Sequence, residues 1–362
     1  MPDERLLKMK RRRRPGAALA NGHSEATIMH VAHQAGVSQR TVSRVINESP
    51  LVHEQTRSRV QAVIRSLDYR PSMRARALAS KQSFMIGLVH DDPNAVVLDH
   101  VQRGIFAICT RRHYELVVHP CHFGSASLVD DVLDFARRTG IDGLVLIPPV
   151  AETLGLARAL KANGIPTVGI ASVPVEDYGL MLVSQERLAV ASLANYLVSM
   201  GHRRFGLIAG PGKFKSAVER KAGFLEALVR HGIRIDSVAI REGDYEFESG
   251  MSCAAAILSC SERPTAIFAS NDRMAAGVLK VAAQMGIAIP QQLSVVGFDD
   301  SVIASMLNPS LTTVCRPMKA MAEHAARWLT EPSHESIDVA TPCFTELSLV
   351  IRDSAGPAPA IG

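Results

Sequence analysis

The sequence predicts an α/β protein with a helix-turn-helix head at its N-terminus and a larger body of parallel sheets in two lobes. Three observations predict this. Three short helical patterns occupy residues 27–71, and from Phe84 onward short apolar runs alternate with amphipathic segments. The charge is also split: residues 1–83 carry 16 Lys and Arg against 6 Asp and Glu, while the rest carries 24 against 29. A basic head on a mildly acidic body suggests a polyanion-binding module joined to a second function. The 362 residues are more than one domain usually holds, and 47% are apolar against 21% charged, which excludes a disordered chain for the bulk. No apolar run approaches the roughly 18 residues of a membrane span.

Residues 1–26 have no apolar period, and the run Lys8-Met9-Lys10-Arg11-Arg12-Arg13-Arg14 repels itself. The expectation is a disordered basic tail, either simply solvated or acting as a nonspecific DNA-binding arm. The first helix is expected over Ile28 to Gln34, ended by Gly36, and the second over Gln39 to Ile46 with Ser38 as N-cap. A third is expected over about Glu54 to Leu67. Val42, Val45 and Ile46 recur at i, i+3, i+4, and Val60, Val63, Ile64 and Leu67 at i, i+3, i+4, i+7, so each helix has one buried stripe. Ala35-Gly36-Val37-Ser38 supplies the tight turn, with Gly36 free to take positive φ.

In such a head the second helix enters the major groove and its N-terminal residues reach base edges. These are Ser38, Gln39, Arg40, Thr41 and Arg44. Gln pairs bidentately with adenine and Arg with guanine, while hydroxyls and the helix N-terminus suit phosphates. Tyr69-Arg70-Pro71 closes the head, because proline disfavours helix at the residue before it. Residues 72–83 then form a linker. Ser72 to Ser80 is an Ala/Arg helix candidate whose apolar content is almost confined to Leu78, too short to be stable alone.

The body is expected over 84–352. Its strands are read at Met85–His90, Leu116–His119, Gly143–Ile147, Thr167–Ala171, Met181–Val183, Phe205–Ala209, Ala266–Ala269 and Ser294–Phe298. Amphipathic helices are read at Leu188–Met200, Ala217–His231, Gly250–Leu258 and Met274–Met285. This spacing gives βαβ units and two doubly wound sheets. Residues 353–362 are expected to be a disordered tail, and they contain no leucine heptad for a tetrameric bundle. The six cysteines lack a CxxC pair and are read as reduced and buried.

Several chemistries are not encoded. Gly210-Pro211-Gly212-Lys213 lacks the spacing of a phosphate loop and reads as a turn at a lobe edge. His119, Cys121 and His122 have no second ligand pair at zinc spacing, and no GxSxG nucleophile elbow occurs. No metal, cofactor or catalytic activity is expected. The basic N-terminus is not followed by a signal-peptide core, so a cytoplasmic, nucleoid-associated protein is expected.

The segment from Thr27 to Asn47, with its core Val31-Ala32-His33-Gln34-Ala35-Gly36-Val37-Ser38-Gln39-Arg40-Thr41-Val42-Ser43-Arg44-Val45, closely resembles the headpiece of the lactose/galactose repressor (LacI/GalR) family of bacterial transcription regulators. The similarity continues through Thr56-Arg57, Tyr69-Arg70-Pro71 and Ala75-Arg76-Ala77-Leu78-Ala79-Ser80 to about Arg352. The resemblance implies a homodimer on a near-palindromic operator. Thr27, Ser38, Gln39, Arg40, Thr41, Ser43, Arg44 and Asn47 would be its DNA contacts. A hinge helix would carry Arg76 and insert Leu78 into the minor groove, where an apolar wedge bends the duplex. It further implies a body like a periplasmic binding protein with a small effector between its lobes.

By the same resemblance the effector contacts are Arg220, Asn271 and Asp299, with Tyr245 where some members have a stacking aromatic. Taken singly, Asn271-Asp272 and Asp299-Asp300 read as caps of following helices and Arg220 as a surface charge. Together they suit a sugar: a carboxylate and an amide bridge hydroxyls, a guanidinium donates to oxygens, and an aromatic face covers C–H groups. The implied function is a repressor of carbohydrate-use genes controlled by a sugar-like effector; the other reading of the body is a sugar-binding transport receptor without catalysis. Three departures from the family stand out. His30 replaces an aspartate, Asp91 to Val97 replaces an Asn-Pro-Phe-Phe segment and leaves the first lobe without its aromatic, and Ser184-Gln185 replaces Asp-Asn.

Overall fold

The structure, a computed structural model, describes residues 26–46, 49–69, 82–91, 95–331 and 341–359. Asn47, Arg76, Leu78 and the tail 1–25 lie outside the described residues. The chain divides into two compact units at Ser80–Lys81.

The first unit is three helices, α1 (Ile28–Ala35), α2 (Gln39–Ile46) and α3 (Glu54–Ser66). Their stripes meet in one small core of Val31, Ala32, Ala35, Val42, Val45, Val60 and Tyr69, with Ile46, Val63, Ile64 and Leu67 packed against it. Gly36 is left-handed at φ 62°, and Val37 N–H returns to Ala32 O at 3.0 Å, so the turn between α1 and α2 is closed as a glycine C-cap. Ser38 Oγ accepts Thr41 N–H at 3.2 Å, the N-cap expected of it. At the start of α1, His30 replaces the family carboxylate without loss of the reciprocal bond, because its Nδ1 accepts the Thr27 N–H at 3.2 Å.

The second unit begins where Ser83 and Phe84 each donate a backbone N–H to the Asp142 carboxylate at 2.8 Å. Its first lobe contains β1 (Met85–His90), α4 (Ala95–Arg112), β2 (Glu115–Pro120), α5 (Leu128–Thr139), β3 (Gly143–Leu146), α6 (Leu156–Ala162), β4 (Thr167–Ala171) and β5 (Leu180–Ser184). The chain then crosses to the second lobe: α7 (Glu186–Ser199), β6 (Phe205–Ala209), α8 (Lys215–Arg230), β7 (Ala239–Glu242), α9 (Phe247–Leu258), β8 (Ala266–Ala269), α10 (Asp272–Gln284), β9 (Ser294–Asp299), α11 (Val302–Met306) and β10 (Thr312–Cys315). It returns for α12 (Met318–Thr330) and β11 (Cys343–Thr345), and crosses a last time to β12 (Ser348–Val350).

The sheets run β11-β5-β4-β3-β1-β2 and β12-β10-β9-β8-β6-β7. Every pair is parallel except β10 with β12. The eight strands expected from apolar runs are all present, and β3, β4, β5, β6 and β8 are buried at every position, as helix-covered parallel strands must be. Each sheet has a core on both faces. In the first lobe α4 and α12 cover one face through Ile105, Ile108, Met321 and Ala325, while α5 and α6 cover the other through Val132, Phe135 and Leu160. In the second, α7 and α8 cover one face through Leu193, Leu197, Phe224 and Leu228, and α9 and α10 the other through Ile257, Met274 and Val278. Among the described residues, no helix is long and apolar enough to cross a membrane.

Two expectations are corrected. The segment 353–359 is not a loose tail. Ser354 is fully buried and its Oγ donates to Val295 O at 2.6 Å, while Ala358 N–H bonds to Met200 O at 2.9 Å. Buried His202 supplies the anchor, one ring nitrogen on Thr265 Oγ1 and the other facing Gly356 O at 3.0 Å. The polar Ser and the Gly/Pro/Ala composition signalled disorder, whereas the chain end fills hydrogen bonds left by β9. The cysteines are free, but only Cys109 and Cys253 are buried; Cys260 and Cys343 are exposed, on a helix end and an edge strand.

Candidate functional site

Parallel strands end together, so the loops after β1, β3, β6, β7, β8, β9 and β10 converge on the cleft between the lobes, the place where open α/β sheets bind ligands. The cleft holds about 280 Å³. It is lined by Asp91, Pro148 and Glu152 from the first lobe, and by Phe214, Arg220, Tyr245, Asn271, Asp299 and Arg316 from the second side and its crossover. All four expected effector contacts are thus brought to one cavity.

Arg220 on α8 is only 3% exposed. Its Nε donates to Glu186 Oε2 at 2.7 Å and its Nη1 to Ser270 O at 2.6 Å, its Nη2 lies 3.7 Å from Asp299 Oδ1, and its guanidinium stacks 3.7 Å from the Phe298 ring centroid. It is therefore not a surface charge. Burial alone would lower its pKa, but Glu186 and Asp299 raise it above the ordinary arginine value. Glu186, at the start of α7, also accepts from Ser172 Oγ at 2.8 Å and Ser184 Oγ at 2.9 Å. Burial works against its ionisation, yet the Arg220 and Arg316 guanidiniums and these hydrogen bonds hold its carboxyl at about 2. Ser184, which stands where the family has an aspartate, thus contributes a hydroxyl to a carboxylate two residues on.

Asn271 caps α10: its Oδ1 accepts Met274 N–H at 2.9 Å, and its Nδ2 donates to Tyr245 O at 2.9 Å. The capping role and the cavity position coexist, leaving one N–H and one acceptor lone pair for a ligand. Tyr245 has φ 74° and stacks on Phe214 with 6.1 Å between centroids and 25° between planes. Gly210 makes room for it, since any Cβ there would overlap the tyrosine ring. The Gly210–Lys213 turn is therefore part of the cavity wall and not a lobe edge alone. Phe123 packs behind Phe214 with 5.8 Å between ring centroids, and its N–H is held by Asp91 Oδ2 at 2.7 Å, but it is not among the cleft-lining residues.

Asp299 has φ 109° at the end of β9, and burial raises its pKa against the pull of Arg220 and Arg316. Asp272 lies beneath it, accepting Thr313 Oγ1 at 2.6 Å and Ser301 N–H at 2.7 Å, where burial and the Asp299 charge push it up to about 7. A carboxyl raised in the folded state favours folding while it is protonated, and the benefit is lost as pH rises through about 7. Asp272→Asn should keep the fold and remove this contribution. Denaturant midpoints between pH 5 and 8 should fall less steeply with rising pH in the variant than in the parent; equal slopes would contradict the assignment.

Sequence reading missed Glu152, Glu186, Phe214 and Arg316, since each gains meaning only from neighbours distant in sequence. His119 and Cys121 have other partners. His119 stacks on Phe135 and bonds Asp131 Oδ2 at 2.9 Å, Cys121 contacts His90 O, and among the described residues no group of three His, Cys, Asp or Glu side chains converges.

In the first unit Thr27, Ser38, Gln39 and Arg40 are exposed, and Thr41, Ser43 and Arg44 are half-buried on the same helix as buried Val42 and Val45. Ser38 Oγ and Thr41 Oγ1 lie 2.9 Å apart. The recognition helix therefore offers its polar N-terminal turn outward while its stripe holds it in place.

A helix-turn-helix head and a two-lobed core with a cleft between its lobes define an effector-binding regulator of transcription. Comparison places it more closely. Residues 27–72 match the model for bacterial regulatory proteins of the lacI family, and residues 194–355 match that for the periplasmic binding protein-like domain. The ribose operon repressor of Escherichia coli K12 is 33% identical over 83% of this chain and 91% of its own length. Catabolite control protein A of Priestia megaterium is 31% identical over 86% and 94%. Among solved structures, the lac repressor dimer bound to operator and the anti-inducer ONPF aligns with a TM-score of 0.75 at 26% identity, over 91% of this chain and 99% of that one. The complex of the regulator CelR with cellobiose gives 0.66 at 26%, over 91% and 100%. The chain belongs to the lacI family of bacterial regulatory proteins.

Proposed function

We propose that this protein is a homodimeric repressor of carbohydrate-use genes whose affinity for a near-palindromic operator is set by a small polyhydroxylated effector in the cleft. The observation that carries the effector half is the buried Glu186–Arg220–Asp299 array facing Asn271 and the Tyr245–Phe214 wall. A carboxylate, an amide and an aromatic face are the groups that bind hydroxyls on one side of a sugar ring and C–H groups on the other. The relatives named as repressors, and one named as bound to operator, support the DNA half.

In this reading Gln39 and Arg40 read bases, with Thr27, Ser38, Thr41, Ser43, Arg44 and Asn47 placing the helix on the backbone. Residues 72–83, with Arg76 and the Leu78 wedge, join the head at 27–71 to the core, and the basic tail adds nonspecific attraction. The effector changes operator affinity because it binds one arrangement of the lobes better than the other, and the lobes carry the two hinge segments of the dimer. The cleft binds and releases without chemistry, in the cytoplasm. The head favours this reading over a transport receptor, which has no use for a recognition helix.

The experiment is selection of bound sequences from a random DNA pool. Parent protein should enrich one near-palindromic site. Gln39→Ala and Arg40→Ala should each relax preference at particular base pairs by about 1–3 kcal/mol. Unchanged preferences in both variants would refute the assigned register of the recognition helix.

A further inference from the structure

Arg316 follows β10, where the chain leaves the second lobe for the first, and it lines the cleft with 7% exposure. Its Nη2 lies 3.5 Å from Glu186 Oε1, which neutralises its charge. Yet Nε and Nη2 have no hydrogen-bond partner. Arg220 beside it is bonded through both Nε and Nη1. Nε and Nη2 form one edge of the guanidinium, two parallel donors spaced for the two oxygens of a carboxylate or phosphate. Leaving buried donors unpaired costs about 1–3 kcal/mol each, and more when they are charged. The protein supplies these nitrogens with no acceptor, so one that arrives within a bound molecule would complete them.

Most of the carboxylates around the cleft, in contrast, have hydrogen-bond partners in the protein. Glu186 is shared by Arg220, Ser172 and Ser184, Glu246 pairs with Arg273, and Asp91 holds the Phe123 N–H, while Asp299 has only the 3.7 Å approach of Arg220. Glu152 accepts the Ser172 N–H at 2.9 Å. Lys213, also in the cleft wall, sits with its ammonium 5.0 Å from the Phe214 centroid. The unfilled donor edge in the cleft is that of Arg316.

The geometry points to an effector that is a polyhydroxylated anion, a sugar acid or sugar phosphate of monosaccharide size, whose charged group seats on the Nε–Nη2 edge of Arg316. This rests on the effector reading of the cleft and adds the ligand's charge to it. The volume of about 280 Å³ is at the lower end for ligand cavities and suits one ring or one open-chain hexonate.

The test is calorimetric titration of the full-length protein with matched probes: D-glucose, D-gluconate, D-glucuronate and D-glucose 6-phosphate, and D-galactose with D-galacturonate. At least one acid should bind about tenfold or more tighter than its neutral parent. In Arg316→Gln, which keeps Glu186 paired to Arg220, that advantage should vanish; in Arg316→Lys, which keeps the charge but not the fork, it should shrink. The carboxylate and phosphate arms separate the two anions. A neutral sugar that binds as tightly as its acid, an acid whose advantage survives in Arg316→Gln, or a panel in which no acid binds overturns the inference. Asp299→Asn separates this from the reading beneath it. A neutral sugar whose binding depends on Asp299 removes the anion and leaves the effector cleft standing, whereas binding indifferent to Asp299 removes the cleft assignment itself.

Discussion

Arg220→Ala is expected to abolish the effector response while leaving operator binding, measured without effector, within a few-fold of the parent. The guanidinium is the shared partner of Glu186, Ser270 O and Asp299, and it covers the Phe298 ring. Its removal leaves the fully buried Glu186 carboxylate with two serine hydroxyls and the more distant Arg316. Breaking a buried pair by deleting one partner costs about 3–5 kcal/mol, so the denaturant midpoint of the core should fall visibly, followed through its single tryptophan, Trp328. Effector coupling in regulators of this kind is worth about 5- to 150-fold in affinity, and that factor should drop to one. Loss of operator binding in a folded variant would mean that the cleft array serves the head directly and not the effector.

Val42→Asp is expected to have the opposite profile. Val42 is fully buried in a core of seven residues, and a head this small holds only a few kcal/mol of stability. An unpaired carboxylate there costs several kcal/mol, enough to unfold the three helices. Operator affinity should fall to the nonspecific level, by about 10³-fold or more, while calorimetric binding of an effector to the core is unchanged. Each unit has its own hydrophobic core, so the damage stays within the head. Fluorescence and circular dichroism should show loss of helix from the head alone. Retained specific binding would contradict the placement of α2.

The head was legible because its signals are local. The stripe Val42, Val45, Ile46, the glycine at 36 and the cap at Ser38 all act within one or two turns, and the helices fall within a residue or so of their expected ends. The inner strands were legible because both faces are buried and the runs are continuously apolar. The strands β7, β10, β11 and β12 were not. Ala239–Glu242 is half-exposed at a sheet edge, Thr312–Cys315 is mostly polar by composition though buried, and β11 and β12 are three residues each. Their identity depends on the strand they pair with, which periodicity does not report.

The cleft divided the same way. Arg220, Asn271 and Asp299 were identified through resemblance and not through chemistry, since each alone reads as a surface charge or a cap. Glu186 and Arg316 had no such help. A glutamate opening a helix and an arginine before a proline are ordinary in solvent, and only the two chain crossovers bring them together with Arg220 in the interior. Ser184-Gln185 stands where the family has Asp-Asn, but the next residue, Glu186, supplies a carboxylate and Ser184 binds it.

The central claim is that one chain reads an operator and lets a ligand in its cleft change that reading. It is tested most directly by binding of the full-length protein to DNA from upstream of its own and neighbouring genes, at fixed salt, with and without a molecule that calorimetry shows to occupy the cleft. The account predicts a site bound about 10³-fold or more above random DNA, with an affinity that shifts by about 5- to 150-fold when the cleft is filled. Equal affinity for site and random DNA, or a site affinity indifferent to the filled cleft, would contradict it.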